Sequence, residues 1–131
     1  MRVLDPGHKY LVDEYDGDSV AALTLRFTKR EGSSYPGNDG HYPGTKCQEV
    51  IRALIDRVDY LNSQVPCDEN RRIRLHLIAA LGLFEVRAAQ RHGFSEEEIE
   101  KALWVPNVHK LETCKTCGHI MCNEHATEME D

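Results

Sequence analysis

No apolar run in this chain approaches the roughly 20 residues that a bilayer crossing needs, so no membrane span is expected. The opening Met1-Arg2-Val3-Leu4-Asp5-Pro6 lacks the apolar core of a signal peptide, which points to a cytoplasmic protein. Neither the Walker nor the dinucleotide-binding glycine spacing is present, which excludes the two commonest phosphate cradles. A serine, histidine and acid arrangement is missing, as is a phosphohydrolase histidine motif, and the expectation is a protein without catalytic activity. Arginine is absent from residues 94–131, and all ten arginines precede them. Aromatic residues make up only 7% of the chain, yet two of them fall within the short stretch YPGNDGHYPGT, Tyr35 to Thr45.

What is present is unevenly spread. The 131 residues suit one ordinary domain with a small appendage. Residues 1–93 hold thirteen cations and thirteen carboxylates; residues 94–131 hold three lysines against nine carboxylates, the source of the net charge of -6. A neutral body with an acidic tail argues against a sequence-independent grip on duplex nucleic acid, which wants a broad positive face. It leaves room for a few arginines converging on a compact anion, where their planar fork matters more than net charge. Five cysteines, three of them crowded near the end, read as metal ligands in a reducing compartment, not as a disulfide framework.

Hydrophobic periodicity predicts an α+β chain. KYLVDEYD and VAALTLRFTKR alternate as strands, the second with Leu23, Leu25 and Phe27 on one face and Thr24, Arg26 and Thr28 on the other. Asp16-Gly17 marks the hairpin turn between them. A glycine-rich loop is expected from about Glu31 to Gly44, and Thr45 with Gln48 spells a helix-capping box. The helix that follows carries Val50, Ile51, Leu54, Ile55, Val58 and Leu61 on one stripe and stops before Pro66. A second helix from near Asp68 to Gly93 is apolar around too much of its circumference for one stripe, so a second covering surface, and hence an oligomer, is expected. Ser95 and Glu98 spell another capping box, ahead of a short helix with Ile99, Ala102 and Leu103.

The runs DPGHKYLVDEYDG, LRFTKREGSSYPGNDGHYPGT, EVIRALIDRVDYLNSQVPCDEN and EVRAAQRHG together resemble the phage anti-Thoeris nucleotide sponges of the first type. Those sponges share a helical-hairpin domain with the anti-CBASS cyclic-nucleotide sponges. The resemblance covers roughly residues 1–93; its most specific pieces are the PG…YPGT loop, LIDRVDYLN and PCDEN. It implies a sponge domain over 1–93, with a sheet at 1–30, the loop at 31–44 and an antiparallel helical hairpin at 45–93. Residues 94–131 would add a short helix and a Cys/His tail, a departure from the family pattern. It also implies sequestration, without turnover, of glycocyclic ADP-ribose isomers or cyclic di- and trinucleotides, second messengers of bacterial immunity, in the host cytoplasm. Family members form dimers, or hexamers built from dimers, with pockets between subunits. The implied ligand contacts are Arg30, Tyr60, Asn70 and Arg87, with Arg91 as the alternative to Arg87.

The residues carry their own readings. Arg87 and Arg91, four apart, share a helix face and form either a phosphate clamp or a solvated face with Glu85. Arg71, Arg72 and Arg74 crowd a helix N-terminus, where the dipole disfavours cations, so an anionic ligand or a neighbouring carboxylate is expected there. Tyr60 offers a stacking surface or core packing; Asn70 offers an amide for a base edge or a simple cap. Asp56 and Asp59 beside Arg52 and Arg57 read as an ordinary charged face, and His76 as a core histidine. Cys114, Cys117, Cys122 and His125, with His119 nearby, suit a tetrahedral Zn2+ knuckle. The alternative function is a small zinc-dependent regulatory or nucleic-acid-binding protein whose hairpin serves dimerisation.

Overall fold

The computed structural model of the chain describes residues 1–15, 23–31, 40–103, 113–115 and 119. It is α+β, in two compact units, Met1–Lys46 and Cys47–Asp131.

The first unit is built from strands. β1 (Arg2–Asp5), β2 (Lys9–Val12) and β3 (Leu23–Arg26) form an antiparallel sheet in that order. Lys9 stands opposite Arg26, Tyr10 opposite Leu25 and Leu11 opposite Thr24, so the alternation read from the sequence becomes two distinct faces. Tyr10 and Phe27 meet edge to face on the apolar side, ring centroids 5.9 Å apart. The turn at Asp16-Gly17 lies outside the described residues. β4 (Lys29–Glu31) pairs with β5 (Gly40–Tyr42), so the expected loop of residues 31–44 carries a strand at its end.

Gly44 explains part of that loop's composition. A Cβ there would sit 2.6 Å from the carbonyl oxygens of both Arg26 and Phe27, so only glycine lets the two backbones meet. The approach brings the Thr45 N–H to the Arg26 oxygen at 2.8 Å and the Thr28 N–H to the Thr45 oxygen at 2.8 Å. The expected Thr45/Gln48 capping box therefore does not form. Thr45 is committed to Phe27 in a parallel bridge, and the helix opens at Cys47 instead.

The second unit is built from α1 (Cys47–Gln64), α2 (Asp68–Arg91) and α3 (Glu96–Leu103). α1 stops ahead of Pro66, as its sequence requires. Arg74 Nε of α2 donates to Asp59 Oδ1 of α1 at 2.8 Å, and Arg52 Nη2 of α1 donates to Glu85 Oε1 of α2 at 3.3 Å. Late residues of α1 thus meet early residues of α2. The core between the elements contains Ile55, Val58, Leu81, Ala88, Ala89 and Ile99. α2 closes on Gly93 at φ +84, with the Gly93 N–H on Gln90 and the Phe94 N–H on Ala89, the double bond pattern of a glycine-terminated helix. The Ser95/Glu98 box forms in both directions: Ser95 N–H to Glu98 Oε1 at 3.2 Å and Glu98 N–H to Ser95 Oγ at 3.2 Å. No helix among the described residues is long and apolar enough to cross a membrane.

Candidate functional site

The turn between α1 and α2 opens into a groove of ≈ 460 Å³. Its walls come from two of the sequence's most distinctive runs: Val58, Asp59 and Asn62 from LIDRVDYLN, and Pro66, Cys67, Asp68 and Asn70 from PCDEN, joined by Arg71 and Arg74. The turn is held by amides. Asn62 Oδ1 accepts from the Cys67 N–H at 3.2 Å and from Asn70 Nδ2 at 3.4 Å, while Asn70 Nδ2 also reaches the Val65 carbonyl at 3.3 Å. The Asn70 donor group is thereby engaged in shaping the turn, which leaves its carbonyl oxygen as the group to offer a ligand.

Two of the three arginines at this N-terminus, Arg71 and Arg74, have carboxylates of their own chain. Arg71 grips Asp68 Oδ1 through Nη2 at 2.6 Å, and Arg74 binds Asp59. Those carboxylates offset the unfavourable helix dipole. Asp59 accordingly is not on a simple solvated face. Arg57 lies over the Tyr60 ring, 5.2 Å from its centroid, and Gln64 Nε2 donates to the Tyr60 hydroxyl at 3.0 Å. Tyr60 is half exposed, not packed in the core, and one of its faces carries a cation.

Arg87 and Arg91 are both exposed, near the far end of α2. Sixteen helical residues separate Arg71 from Arg87, about 24 Å of axis. One copy of the helical unit therefore does not gather Asn70, Arg71 and Arg87 around one small ligand. Arg30 lies in β4, and its side chain is not among those described. His76 is exposed, contrary to the core position expected for it.

A second cluster, absent from the sequence-based expectations, is buried at the other end of α1 and α2. Glu85, 1% exposed, meets Arg52 at 3.3 Å and lies 4.0 Å from His119 Nδ1. Gln48 Nε2 sits 2.9 Å from the same Nδ1, and the His92 ring lies 5.8 Å from the His119 ring. Arg52 also holds Glu49 at 2.9 Å, which leaves its buried Nε without a hydrogen-bond partner among the described residues. Glu85 thus leaves the solvated face expected for it beside Arg87. Its position was detectable: it follows Leu81 by four residues and precedes Ala89 by four, on the ridge that supplies the core.

Of the expected metal ligands, Cys114 and His119 are described and buried, and the Cys114 N–H donates to the His119 carbonyl at 2.9 Å. Cys117, Cys122 and His125 lie outside the described residues. Among the described residues, no three His, Cys, Asp or Glu side chains form a metal-holding group. No family model, curated protein or solved structure matches this chain.

Proposed function

We propose that the chain is a non-enzymatic binding protein that sequesters phosphate-bearing nucleotide signals, in the manner of the sponges its sequence resembles. The ligand class is glycocyclic ADP-ribose isomers or cyclic di- and trinucleotides, and the consequence is a block of bacterial anti-phage defence. The observation that carries this reading is the groove at the α1–α2 turn, where LIDRVDYLN and PCDEN face each other. In this reading α1 and α2 are the family's helical hairpin. Asn70 and Arg71 meet one end of the ligand, Tyr60 stacks on a base, and Arg30 with Arg87 or Arg91 meets the phosphates. The distance along α2 makes a second copy necessary, because Arg87 of one protomer reaches the turn of another only across an interface.

The tail is proposed to hold one structural Zn2+ through Cys114, Cys117, Cys122 and His125, with His119 as the alternative fourth ligand. The burial of Cys114 and His119 side by side supports a closed structural site. Zinc would supply folding energy to the tail and no chemistry to the ligand.

The deciding experiment mixes purified protein with a glycocyclic ADP-ribose and a cyclic trinucleotide, removes free ligand, heats the protein and identifies what is released. Intact ligand supports sequestration. Altered ligand would establish an enzyme, and retention of an oligonucleotide alone would favour the zinc-dependent regulatory protein.

A further inference from the structure

The sheet of the first unit carries an unbalanced row of cations. Lys9 of β2 stands directly opposite Arg26 of β3, and Leu11 stands opposite both Arg2 and Thr24. Cross-strand partners share a face, so Arg2, Lys9, Thr24 and Arg26 all lie on one side of the sheet. Like charges directly opposite destabilise a strand pair, unless an anion lies between them. The register also places Asp5 opposite Lys9, but Asp5 is held by Lys29 Nζ at 3.3 and 3.4 Å. Among the described residues, neither Lys9 nor Arg26 makes a salt bridge or side-chain hydrogen bond.

The same two cations line an open groove of ≈ 670 Å³ with Thr24, Leu25, Gly44 and Thr45. The Thr24 hydroxyl has no hydrogen-bond partner among the described residues. The close backbone approach at Gly44 brings the Thr45 backbone to this edge, and its pairing with Phe27 sends the Thr45 side chain to the other face. Two cations about 5 Å apart at their Cβ atoms and the Thr24 hydroxyl between the strands match the oxygens of one tetrahedral phosphoryl group.

We propose that this face is a phosphoryl-binding site, with the anion bridging Lys9 and Arg26 and taking a hydrogen bond from Thr24. It goes beyond the nucleotide reading above, whose contacts include none of Lys9, Thr24 and Arg26 and, apart from Arg30 of β4, lie in the helical unit. A free oligophosphate and the phosphates of a nucleotide offer the same chemistry here.

The test uses the full chain in phosphate-free buffer at fixed ionic strength, so that general screening stays constant. Thermal unfolding and isothermal titration are followed with pyrophosphate and with ADP, on the parent, Lys9→Gln/Arg26→Gln, Arg26→Glu and Arg87→Ala. The parent is expected to melt higher as pyrophosphate is added, by simple linkage. The double variant should lose about tenfold or more in affinity, as charge-assisted bonds are removed. Arg87→Ala, which alters only the separate nucleotide contact, should keep the pyrophosphate binding that the double variant loses. Without ligand, the double variant and Arg26→Glu should melt at or above the parent, because repulsion between facing strands is gone. Equal binding of both probes identifies oligophosphate as the ligand; tighter binding of ADP that is lost in the double variant and kept in Arg87→Ala identifies a nucleotide at this face. A parent indifferent to both probes, or a double variant that binds as tightly as the parent, overturns the site. So does a double variant that melts well below the parent without ligand, or binding lost only in Arg87→Ala.

Discussion

A carboxylate that is 1% exposed survives between two helices only where cations and donors surround it, and Glu85 has Arg52 at 3.3 Å with His119 beyond. Removing one partner of a buried pair leaves an uncompensated charge and costs about 3–5 kcal/mol. Arg52→Met should therefore lower the chemical-denaturation midpoint sharply, and Arg52→Met/Glu85→Leu should recover much of the loss. Equal damage from the single and double variants would show that the pair does not act as a unit. Arg87 is the contrasting residue. It is exposed, so Arg87→Ala should leave stability within about 0.5 kcal/mol. Nucleotide affinity should fall by about 2–5 kcal/mol, roughly thirtyfold or more, if the arginine meets a buried phosphate. Arg87→Lys should rescue it only in part, for want of the planar fork. Titration calorimetry on both variants separates the two effects. At this scale the sequence was least legible. Gln48 reads as half of a capping box and Glu85 as a solvated neighbour of Arg87, because both true partners, Arg52 and His119, are remote in sequence. Local spacing carries no information about a hydrogen bond across 71 residues.

Elements, by contrast, were legible wherever a local stereochemical rule set their limits. Pro66 ends α1, Gly93 ends α2 in the left-handed region, and Ser95 with Glu98 opens α3. Ser95→Ala removes the hydroxyl that caps Glu98 and should cost about 1 kcal/mol. That is small enough to leave the unit folded, and thermal unfolding would resolve it. The strands were legible only where they alternate. β5 escaped notice because Gly40-His41-Tyr42 sits among turn residues and gains its identity from β4, not from its own sequence. Gly44 shows what the doubled Tyr-Pro-Gly is for, at least in its second copy: it is a point of backbone contact. Gly44→Ala forces a Cβ against backbone atoms that cannot swing aside, so a loss of about 1–3 kcal/mol is expected. A melting temperature equal to the parent's would mean that Thr45 does not depend on this approach.

For the whole molecule, the surface left by the helices matters most. Leu54, Leu61 and Val65 of α1 and its following turn, and Ile73, Leu75 and Leu83 of α2, are all more than a third exposed. Such breadth is what α2's composition foretold, since its apolar residues surround the helix instead of following one stripe. The two ends of α2 also hold the two halves of the proposed nucleotide contact, about 24 Å apart. Under the proposed function both features are met by a second copy, one to cover apolar surface and the other to complete a pocket. Light scattering on the parent should return a multiple of 14.9 kDa at micromolar concentration. Leu75 and Leu83 lie two turns apart on one ridge of α2, 56% and 71% exposed, so aspartates there would add little strain within a protomer but would place charge inside an interface. Leu75→Asp/Leu83→Asp should therefore give a folded monomer with an unchanged circular dichroism spectrum. It should also retain no nucleotide, because Arg87 and Asn70 can then no longer share a ligand. A monomeric parent would remove the basis for interface pockets altogether. An oligomeric parent whose monomeric variant still holds nucleotide would instead place the whole site within one copy, at the α1–α2 turn.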